Sequence, residues 1–278
     1  MNILILGAGH SAKRFVQANI QYNDTNIFLN TFSNHYQSTF ELAKKYNLTM
    51  IDYKKVLQNP NVFDIIIFAL HSDIIETYLF DFLQSGYKNK IIFEKPFGKN
   101  INNYNVLSNH IKNSNIIFSV MYNRRYDNYY ISQKSKHQKY YIKIILSIKR
   151  LKNCLIDYLT HFMDYIFFCE ETYDYKILSK SFIHNKLQIK LILDNNSQIN
   201  FYFIGENIRT PIYYFNEQLM PSPDYMQTHR RIIKETITKK YNEDYLLKSS
   251  LAISKILEEL GGIFDNEINN SRRHRCYR

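Results

Sequence analysis

A glycine-rich segment directly follows the first apolar run of the chain. Its residues are Gly7, Ala8, Gly9, His10, Ser11 and Ala12. They fit the pattern G-x-G-x-x-A, in which a strand turns sharply into a helix. Gly7 permits the tight turn, Gly9 lets the backbone approach a pyrophosphate, and Ala12 is small enough for close helix–strand packing. Because the free N–H groups of such a helix attract phosphates, the segment predicts a dinucleotide site.

The residues after the second apolar run bear on the choice between NAD and NADP. In many NAD-binding proteins an acid at the end of the second strand binds the ribose 2′-hydroxyl. Here that stretch is Asn30-Thr31-Phe32-Ser33-Asn34 and contains no acid. Ser33 and Asn34 can bond either a hydroxyl or a phosphate, although no arginine stands beside them. The sequence therefore predicts NAD or NADP, and the missing carboxylate favours NADP because nothing repels a 2′-phosphate.

A second candidate segment ends the apolar run over residues 90–94. It is the triplet Glu94-Lys95-Pro96. Ligands of open α/β sheets bind at the carboxyl ends of the strands. A lysine at a strand end is by itself more simply explained by contact with solvent, but the place of Lys95 in the strand order favours contact with a ligand.

A third candidate combines histidine and carboxylates on a predicted helix. Asp157 and His161 are four residues apart and share a helix face, and Asp164 follows on the same side. A histidine takes a proton from an alcohol readily near neutral pH, and a neighbouring acid can orient it. The alternative interpretation is a polar stripe that only faces solvent.

The elements that must position these residues follow from the hydrophobic pattern. Strands are predicted over residues 2–6, 26–31, 64–70, 90–94 and 115–120, and helices over 12–20, 38–46, 73–83 and 103–112. The strands are continuous apolar runs, which is typical of parallel strands buried on both faces. Their alternation with helices predicts a doubly wound parallel sheet, a Rossmann domain, over residues 1–120.

The pattern changes after residue 120. Strands are predicted over 139–150, 175–184, 186–193 and 198–204, a hairpin turn at 194–197, and helices over 155–168 and 242–260. These strands alternate in part between polar and apolar residues, as in an antiparallel sheet with one covered face. The predicted fold class is therefore α/β, with the Rossmann domain followed by a second α/β domain over 121–278 that carries a large, open, mostly antiparallel sheet.

Composition limits the classes of partner. The net charge is +11, but apart from four arginines within residues 271–278 the basic residues are scattered, which favours a diffuse basic surface over a nucleic-acid groove. Cys154, Cys169 and Cys276 lack metal-ligand spacing, so we expect reduced thiols, no metal and a cytoplasmic location. No signal peptide and no apolar run of about 20 residues is found, so no membrane partner is expected.

Together these segments resemble the glucose–fructose oxidoreductase / inositol dehydrogenase family of NAD(P)-dependent dehydrogenases over nearly the whole chain. The resemblance rests on the glycine loop, Glu94-Lys95-Pro96, Asn123-Arg124-Arg125-Tyr126 and the series Asp157, His161 and Asp164. It implies that the nicotinamide lies in a cleft between the two domains and that the second domain binds the substrate. A sugar, including a phosphorylated or nucleotide-linked sugar, is the expected substrate, and a homo-oligomer is the expected assembly.

The resemblance also implies roles for individual residues. Lys95 would contact the substrate and the nicotinamide ribose, and Asp157 and His161 would form the catalytic pair. His161 would act as the base in oxidation while Asp157 orients it and Lys95 polarises the substrate oxygen. A cis peptide is expected before Pro96.

Two further segments are expected to border the cleft. Ala69-Leu70-His71 stands where many members carry Thr-Pro and, a few residues later, a histidine, so these residues are expected beside the nicotinamide. Arg124 and Arg125 would bind a phosphate or carboxylate at the cleft mouth, or one of them would pair with an acid between the domains.

Three other functions stay open on the sequence alone. The same scaffold could reduce an imine or another unsaturated bond outside sugars. It could bind NADP as a sensor without catalysis, although the presence of Lys95, Asp157 and His161 speaks against this. Binding of nucleic acid through the arginines of residues 271–278 would require a salt-dependent affinity that is lost when the segment is removed.

Overall fold

The computed structural model describes residues 1–20, 24–31, 36–238 and 243–263, which form two six-stranded sheets with helices packed on them. The strands are β1 (Asn2–Leu6), β2 (Asn26–Thr31), β3 (Thr49–Asp52), β4 (Ile65–Phe68), β5 (Lys90–Phe93), β6 (Ile117–Val120), β7 (Lys139–Ser147), β8 (Tyr175–Ile183), β9 (Lys186–Leu193), β10 (Gln198–Glu206), β11 (Ile212–Phe215) and β12 (Gln218–Met220). The helices are α1 (His10–Asn19), α2 (Tyr36–Tyr46), α3 (Tyr53–Gln58), α4 (Ser72–Gln84), α5 (Ile101–Lys112), α6 (Asn123–Tyr126), α7 (Asn128–Ser132), α8 (Thr160–Glu170), α9 (Tyr225–Thr238) and α10 (Glu243–Leu260).

The first sheet is parallel throughout and has the order β3-β2-β1-β4-β5-β6. Its central strands are buried on both faces, which explains why they read as continuous apolar runs. Along β1, Ile3 and Ile5 pack under α1 and α2, whereas Leu4 and Leu6 pack under α3, α4 and α5. The chain leaves β1 toward one edge and β4 toward the other, so the crevice between their carboxyl ends is the topological switch point. The predicted doubly wound sheet is confirmed.

The second sheet is mixed and has the order β12-β11-β7-β10-β9-β8. Only the pairing of β7 with β10 is parallel, so the predicted mostly antiparallel sheet is confirmed. In β7, β9 and β10 buried residues alternate with partly exposed ones, and the buried set packs with α8 and α10. The predicted hairpin turn at residues 194–197 joins β9 to β10.

The two C-terminal helices pack back onto the first sheet. On α9, Ile232 and Ile233 join the apolar cluster beneath α1, and Thr236 Oγ1 donates to Ser119 Oγ on β6 at 2.8 Å. On α10, the Leu247 carbonyl oxygen accepts from the Tyr104 hydroxyl of α5 at 3.0 Å. The face of the first sheet that α1 covers is therefore completed by a helix from far along the chain.

Seven elements were not predicted, and each has a weak sequence signal. The helices α6 and α7 have only four and five residues. The edge strand β3 has only four residues and none of them is fully buried. The short helix α3 and the short strands β11 and β12 contain few periodic positions. The buried face of α9 includes Thr228, His229 and Thr236, so its polar character hides the amphipathic pattern.

Candidate active site

A cleft of about 710 Å³ lies between the carboxyl edge of the first sheet and the second domain. Its lining residues include His10, Ser11, Arg14, Glu94, Lys95, Asn123, Arg124, Arg150, Asp157, His161, Tyr213, Tyr225 and His229. The cleft therefore brings together the glycine loop, the Glu94-Lys95-Pro96 triplet and the predicted helix residues, which are far apart in sequence.

The glycine loop has the geometry that a dinucleotide requires. Gly7 has φ of +105°, and a Cβ there would collide with the carbonyl oxygen of Ala69 at the end of β4. Gly9 precedes α1 without any side-chain cap, and a Cβ at Gly9 would meet nothing within 4 Å. No side chain therefore caps the first N–H groups of α1, and its first turn contains no acid to repel a phosphate. The loop fits a pyrophosphate.

Other predicted cofactor residues surround this loop. Ala12 is fully buried in the cluster beneath α1, which is the close packing that its small side chain allows. Ser11 Oγ donates to Glu94 Oε1, which joins the start of α1 to the end of β5. Burial raises the pKa of the Glu94 carboxyl despite the hydrogen bond from Ser11 and the positive charge of Lys95.

Lys95 points into the cleft from the end of β5. The Lys95–Pro96 peptide is cis, as predicted. Lys95 Nζ donates to the Ile156 carbonyl oxygen at 2.9 Å and to Asp157 Oδ1 at 3.4 Å, and its side chain is 13% exposed. Burial lowers the pKa of Lys95, although Asp157 and Glu94 act in the opposite direction. The site therefore favours the neutral amine more than solvent does.

The partner of Asp157 differs from the sequence prediction. Residues Leu155–Leu159 form one turn of π-helix, and α8 begins only at Thr160, whereas a continuous α-helix over 155–168 was predicted. A π turn holds more residues than an α turn, so residues four apart no longer stand above one another. The carboxylate of Asp157 consequently contacts Lys95, and the predicted role of Asp157 in orienting His161 is not the arrangement in the structure.

His161 is held by the backbone instead. It is 7% exposed, and its Nδ1 accepts from the Asn123 N–H at 3.3 Å. With Nδ1 accepting, the neutral ring carries its proton on Nε2, where it can donate. Burial, together with the charges of Lys95 and Arg124, lowers the pKa of His161 well below its usual value. Burial and the nearby charges thus favour the neutral ring, which can donate from Nε2, and the base role predicted from the sequence stays a prediction.

The two adjacent arginines have different surroundings. Arg125 donates from Nε to Asp164 Oδ2 at 3.0 Å and from Nη2 to Asp164 Oδ1 at 2.8 Å, and it does not line the cleft. Arg125 is therefore an ion-pair partner, but its acid lies within the predicted second domain and not across the two domains as the alternative required. Asp164, the partner of Arg125 in this ion pair, does not line the cleft either. Arg124 does line the cleft.

Some predicted residues lie elsewhere. The His71 side chain is 75% exposed, and its Nδ1 contacts Asp73 Oδ2 at 2.8 Å outside the cleft lining. Ala69 and Leu70 stay beside Gly7 at the switch point. Ser33 and Asn34 lie outside the described residues.

Among the cleft residues that sequence reasoning missed, three contact one another. Arg14 on α1 stacks on the Tyr225 ring, with 3.3 Å from Cζ to the ring centroid. His229 donates from Nδ1 to the Tyr225 carbonyl oxygen at 2.6 Å, and burial lowers the pKa of His229 to about 3. Tyr225 and His229 are four apart just after Pro221-Ser222-Pro223, a spacing that would have indicated a helix facing the cleft.

Two other kinds of site are absent from the part of the chain that the structure describes. No group of three or more histidine, cysteine, aspartate or glutamate residues is placed there to hold a metal. None of the helices described is long and apolar enough to cross a membrane. Cys154 and Cys169 are free thiols in the core.

The fold and the cleft define a class: a Rossmann domain joined to an α/β domain with an open sheet, with the glycine loop facing the cleft between them. The sequence matches no protein-family model and no curated protein. The fold, however, is similar to solved structures over nearly their whole length.

Three such structures illustrate the similarity. The 3-ketoreductase KijD10 of Actinomadura kijaniata, in complex with NADP, has a TM-score of 0.71 and 10% identity, covering 93% of this chain and 96% of that chain. The UDP-N-acetylglucosamine 3-dehydrogenase of Acidithiobacillus ferrooxidans has a TM-score of 0.68 and 12% identity, with coverages of 95% and 96%. The myo-inositol dehydrogenase of Lactobacillus casei, in complex with NAD(H) and myo-inositol, has a TM-score of 0.67 and 12% identity, with coverages of 92% and 93%. The predicted resemblance is thereby confirmed at the level of the fold.

Proposed function

We propose that this protein is an NAD(P)-dependent oxidoreductase that transfers a hydride between a nicotinamide and the carbinol or carbonyl carbon of a sugar or sugar-like molecule. The observation that carries the proposal is one cleft in which an open glycine loop faces Lys95 and His161. The structures with the same fold include proteins that act on myo-inositol, on UDP-N-acetylglucosamine and as a 3-ketoreductase.

The cleft residues account for the proton that must move with the hydride. A bound nicotinamide dinucleotide supplies the hydride donor or acceptor. In oxidation the substrate carbon loses a hydride while its hydroxyl loses a proton, and the neutral amine of Lys95 accepts that proton before passing it to solvent. In reduction the Lys95 ammonium returns a proton to the new alkoxide. His161 donates a hydrogen bond from Nε2 to the same oxygen, and Asp157 supports the positive charge of Lys95.

The proposal is tested by turnover of sugars, sugar phosphates and nucleotide-linked sugars, followed by nicotinamide absorbance. Replacing Lys95 by Met should lower kcat by about 10²- to 10⁴-fold while cofactor affinity is kept, because only the proton carrier is lost. Cofactor binding without turnover of any carbonyl or alcohol would contradict catalysis and leave a cofactor-binding protein.

For the cofactor we propose NADP over NAD, because the residues that follow β2 in sequence include no acid. Fluorescence titration with NADPH and NADH measures the preference. Replacing Ser33 by Asp supplies the missing carboxylate, so it should weaken NADPH binding more than NADH binding. An equal effect on both cofactors would contradict this assignment.

For the assembly we propose a homo-oligomer formed through the face of the second sheet that faces away from α8. Ile212 on this face is 37% exposed, and the Tyr141 and Tyr202 rings lie against each other there with centroids 4.8 Å apart and planes inclined by 34°. Light scattering coupled to size exclusion tests this, with Ile212→Lys expected to shift the assembly toward smaller species. A monomer at all concentrations would contradict it.

A further inference from the structure

Two buried polar atoms in the cleft have no hydrogen-bond partner. They are Asn123 Oδ1, an acceptor, and Arg124 Nε, a donor. Buried polar groups in folded proteins are nearly always paired, so each unpaired atom calls for an explanation. Both residues line the cleft at the start of α6, next to the Asn123 N–H that holds His161.

Arg124 is also a buried cation without a counter-charge. It is 2% exposed, and it belongs to none of the ion pairs found among the described residues. Its guanidinium lies on the Phe162 ring, with Cζ 3.5 Å from the centroid, and it is flanked by the rings of Tyr130 and Tyr213 at 5.3 and 5.4 Å. These rings remove water from the guanidinium but bring no negative charge.

Arg125 shows how this chain pairs an arginine that it uses for structure. Its guanidinium donates hydrogen bonds to both carboxylate oxygens of Asp164, and Ser249 Oγ donates to the same carboxylate at 2.7 Å. The two carboxylates of the cleft cannot serve Arg124 in the same way, because Asp157 contacts Lys95 and Glu94 accepts from Ser11. Asp127, the acid nearest in sequence, accepts from the backbone N–H groups of Tyr129 and Asp224. Among the described residues, therefore, no carboxylate is placed to pair with Arg124.

We propose that the substrate is a polyhydroxy acid or phosphate ester whose anionic group binds Arg124 and whose hydroxyl donates to Asn123 Oδ1. This rests on the proposed function and narrows its substrate class. Arg124 lines the same cleft as Lys95 and His161, so we expect the anionic group near the reacting carbon. A planar guanidinium binds a carboxylate or a phosphate through two parallel hydrogen bonds, so the geometry suits both groups.

The test compares matched substrates on the full-length protein. The gluco, galacto and manno sugars are each offered as the neutral hexose, the aldonate, the uronate and the 6-phosphate, with both cofactors. Readouts are kcat and KM from nicotinamide absorbance and the melting temperature of the cofactor complex. We expect at least one anionic member to exceed its neutral counterpart about tenfold or more in kcat/KM. The aldonates and uronates test whether the anionic group is a carboxylate, and the 6-phosphates test whether it is a phosphate.

Three variants assign the preference to Arg124. Arg124→Met should remove about 10- to 100-fold in kcat/KM for the anionic member, mainly through KM, and should thereby reduce or abolish the preference for the anionic over the neutral member. Arg124→Lys keeps the charge and should give an intermediate loss, and it carries the test if the methionine variant does not fold. Lys152→Met is the control, because Lys152 is an exposed cation near the cleft but outside its lining.

The outcomes separate this inference from the proposed function. Neutral sugars turned over as well as or better than their anionic counterparts would overturn the inference and leave the oxidoreductase standing. So would an anionic preference that survives in Arg124→Met or that falls equally in Lys152→Met. The absence of turnover and of any melting shift with every compound would overturn the oxidoreductase itself, and the substrate class with it.

Discussion

At the scale of single residues, the structure exchanges the expected partners of the three candidate catalytic residues. Asp157 contacts Lys95, and the Asn123 backbone holds His161. A histidine with Nδ1 engaged as an acceptor can donate from Nε2 but cannot accept there. In the proposed mechanism Lys95, whose pKa is lowered by burial, is then the residue that carries the proton.

Two variants distinguish whether His161 acts as a hydrogen-bond donor or as a general base. His161→Gln places an amide N–H near the position of Nε2, whereas His161→Ala removes the donor. If His161 only donates a hydrogen bond, the glutamine variant should keep about tenfold more kcat than the alanine variant. Steady-state kinetics with a saturating cofactor measure this, and equal loss of activity in both variants would restore His161 as the base.

The contact between Asp157 and Lys95 predicts a change in pH dependence. Asp157 raises the pKa of Lys95, so Asp157→Asn should lower that pKa further. In reduction the Lys95 ammonium is required, and activity falls as the pH rises through its pKa. The alkaline limb of the kcat/KM profile should therefore move to lower pH by about one unit. Asp73→Asn, which removes an exposed acid paired with Lys99 outside the cleft, is the control. An unmoved alkaline limb would show that Asp157 acts elsewhere.

At the scale of elements, much of the fold could be predicted because burial leaves a direct trace in sequence. The central strands of the first sheet are continuous apolar runs, and the glycine loop marks where β1 turns into α1. The π turn at Leu155–Leu159 could not be predicted, because π- and α-helices use the same residue types. The contact of Lys95 with Asp157 joins residues 62 apart, so no local pattern encodes it.

The link between α8 and the β9–β10 hairpin depends on one acid. Glu170 at the end of α8 accepts from Tyr140 Oη, from the His137 N–H at 3.0 Å, from Asn195 Nδ2 at 2.6 Å and from Ser197 Oγ at 3.1 Å. Burial acts to raise its pKa, but these hydrogen bonds outweigh burial, and the pKa of Glu170 lies below its usual value. The acid therefore stabilises the fold in its ionised form.

Glu170→Gln should lower the free energy of unfolding by about 2 kcal/mol at neutral pH. Because the folded-state pKa is lowered, this stabilisation is complete above the unfolded-state pKa and is lost as the pH falls through the folded-state pKa. Denaturant unfolding of both proteins from neutral pH to pH about 3 should thus show a shrinking difference. Glu171→Gln, an exposed neighbour with long ion pairs, should cost about 0.5 kcal/mol or less. A difference independent of pH would contradict the account.

At the scale of the whole molecule, one buried ion pair joins the domain junction to the C-terminal helices. Asp164 on α8 binds Arg125 on α6 and Ser249 on α10, and the Arg125 guanidinium also lies 4.1 Å from the centroid of the Tyr245 ring. Removing one member of such a pair leaves an uncompensated charge in the core.

Asp164→Asn should therefore lower the free energy of unfolding by about 3–5 kcal/mol. Ser249→Ala, which removes a single hydrogen bond to the same carboxylate, should cost about 1 kcal/mol. Replacing both charges, in Arg125→Met with Asp164→Leu, should recover part of the loss because no unpaired charge is left. Equilibrium unfolding in urea measures the stability of all three variants. A double variant less stable than Asp164→Asn would show that the ion pair stabilises the fold by more than the avoidance of an unpaired charge.

The return of α9 to the first sheet has a consequence for how the protein is made. A ribosome releases β1 to β6 before the second sheet, and only afterwards the helix that carries Ile232 and Ile233. The first domain therefore emerges with part of its apolar face uncovered, and it cannot complete its fold before the second domain exists. A chain that stops at residue 224 should bind the hydrophobic dye ANS and be cleaved rapidly by protease, whereas one that extends through residue 263 should resist both. Synthesis of this protein thus couples the two domains in time, because the half that carries the glycine loop can complete its fold only after the later half has been made.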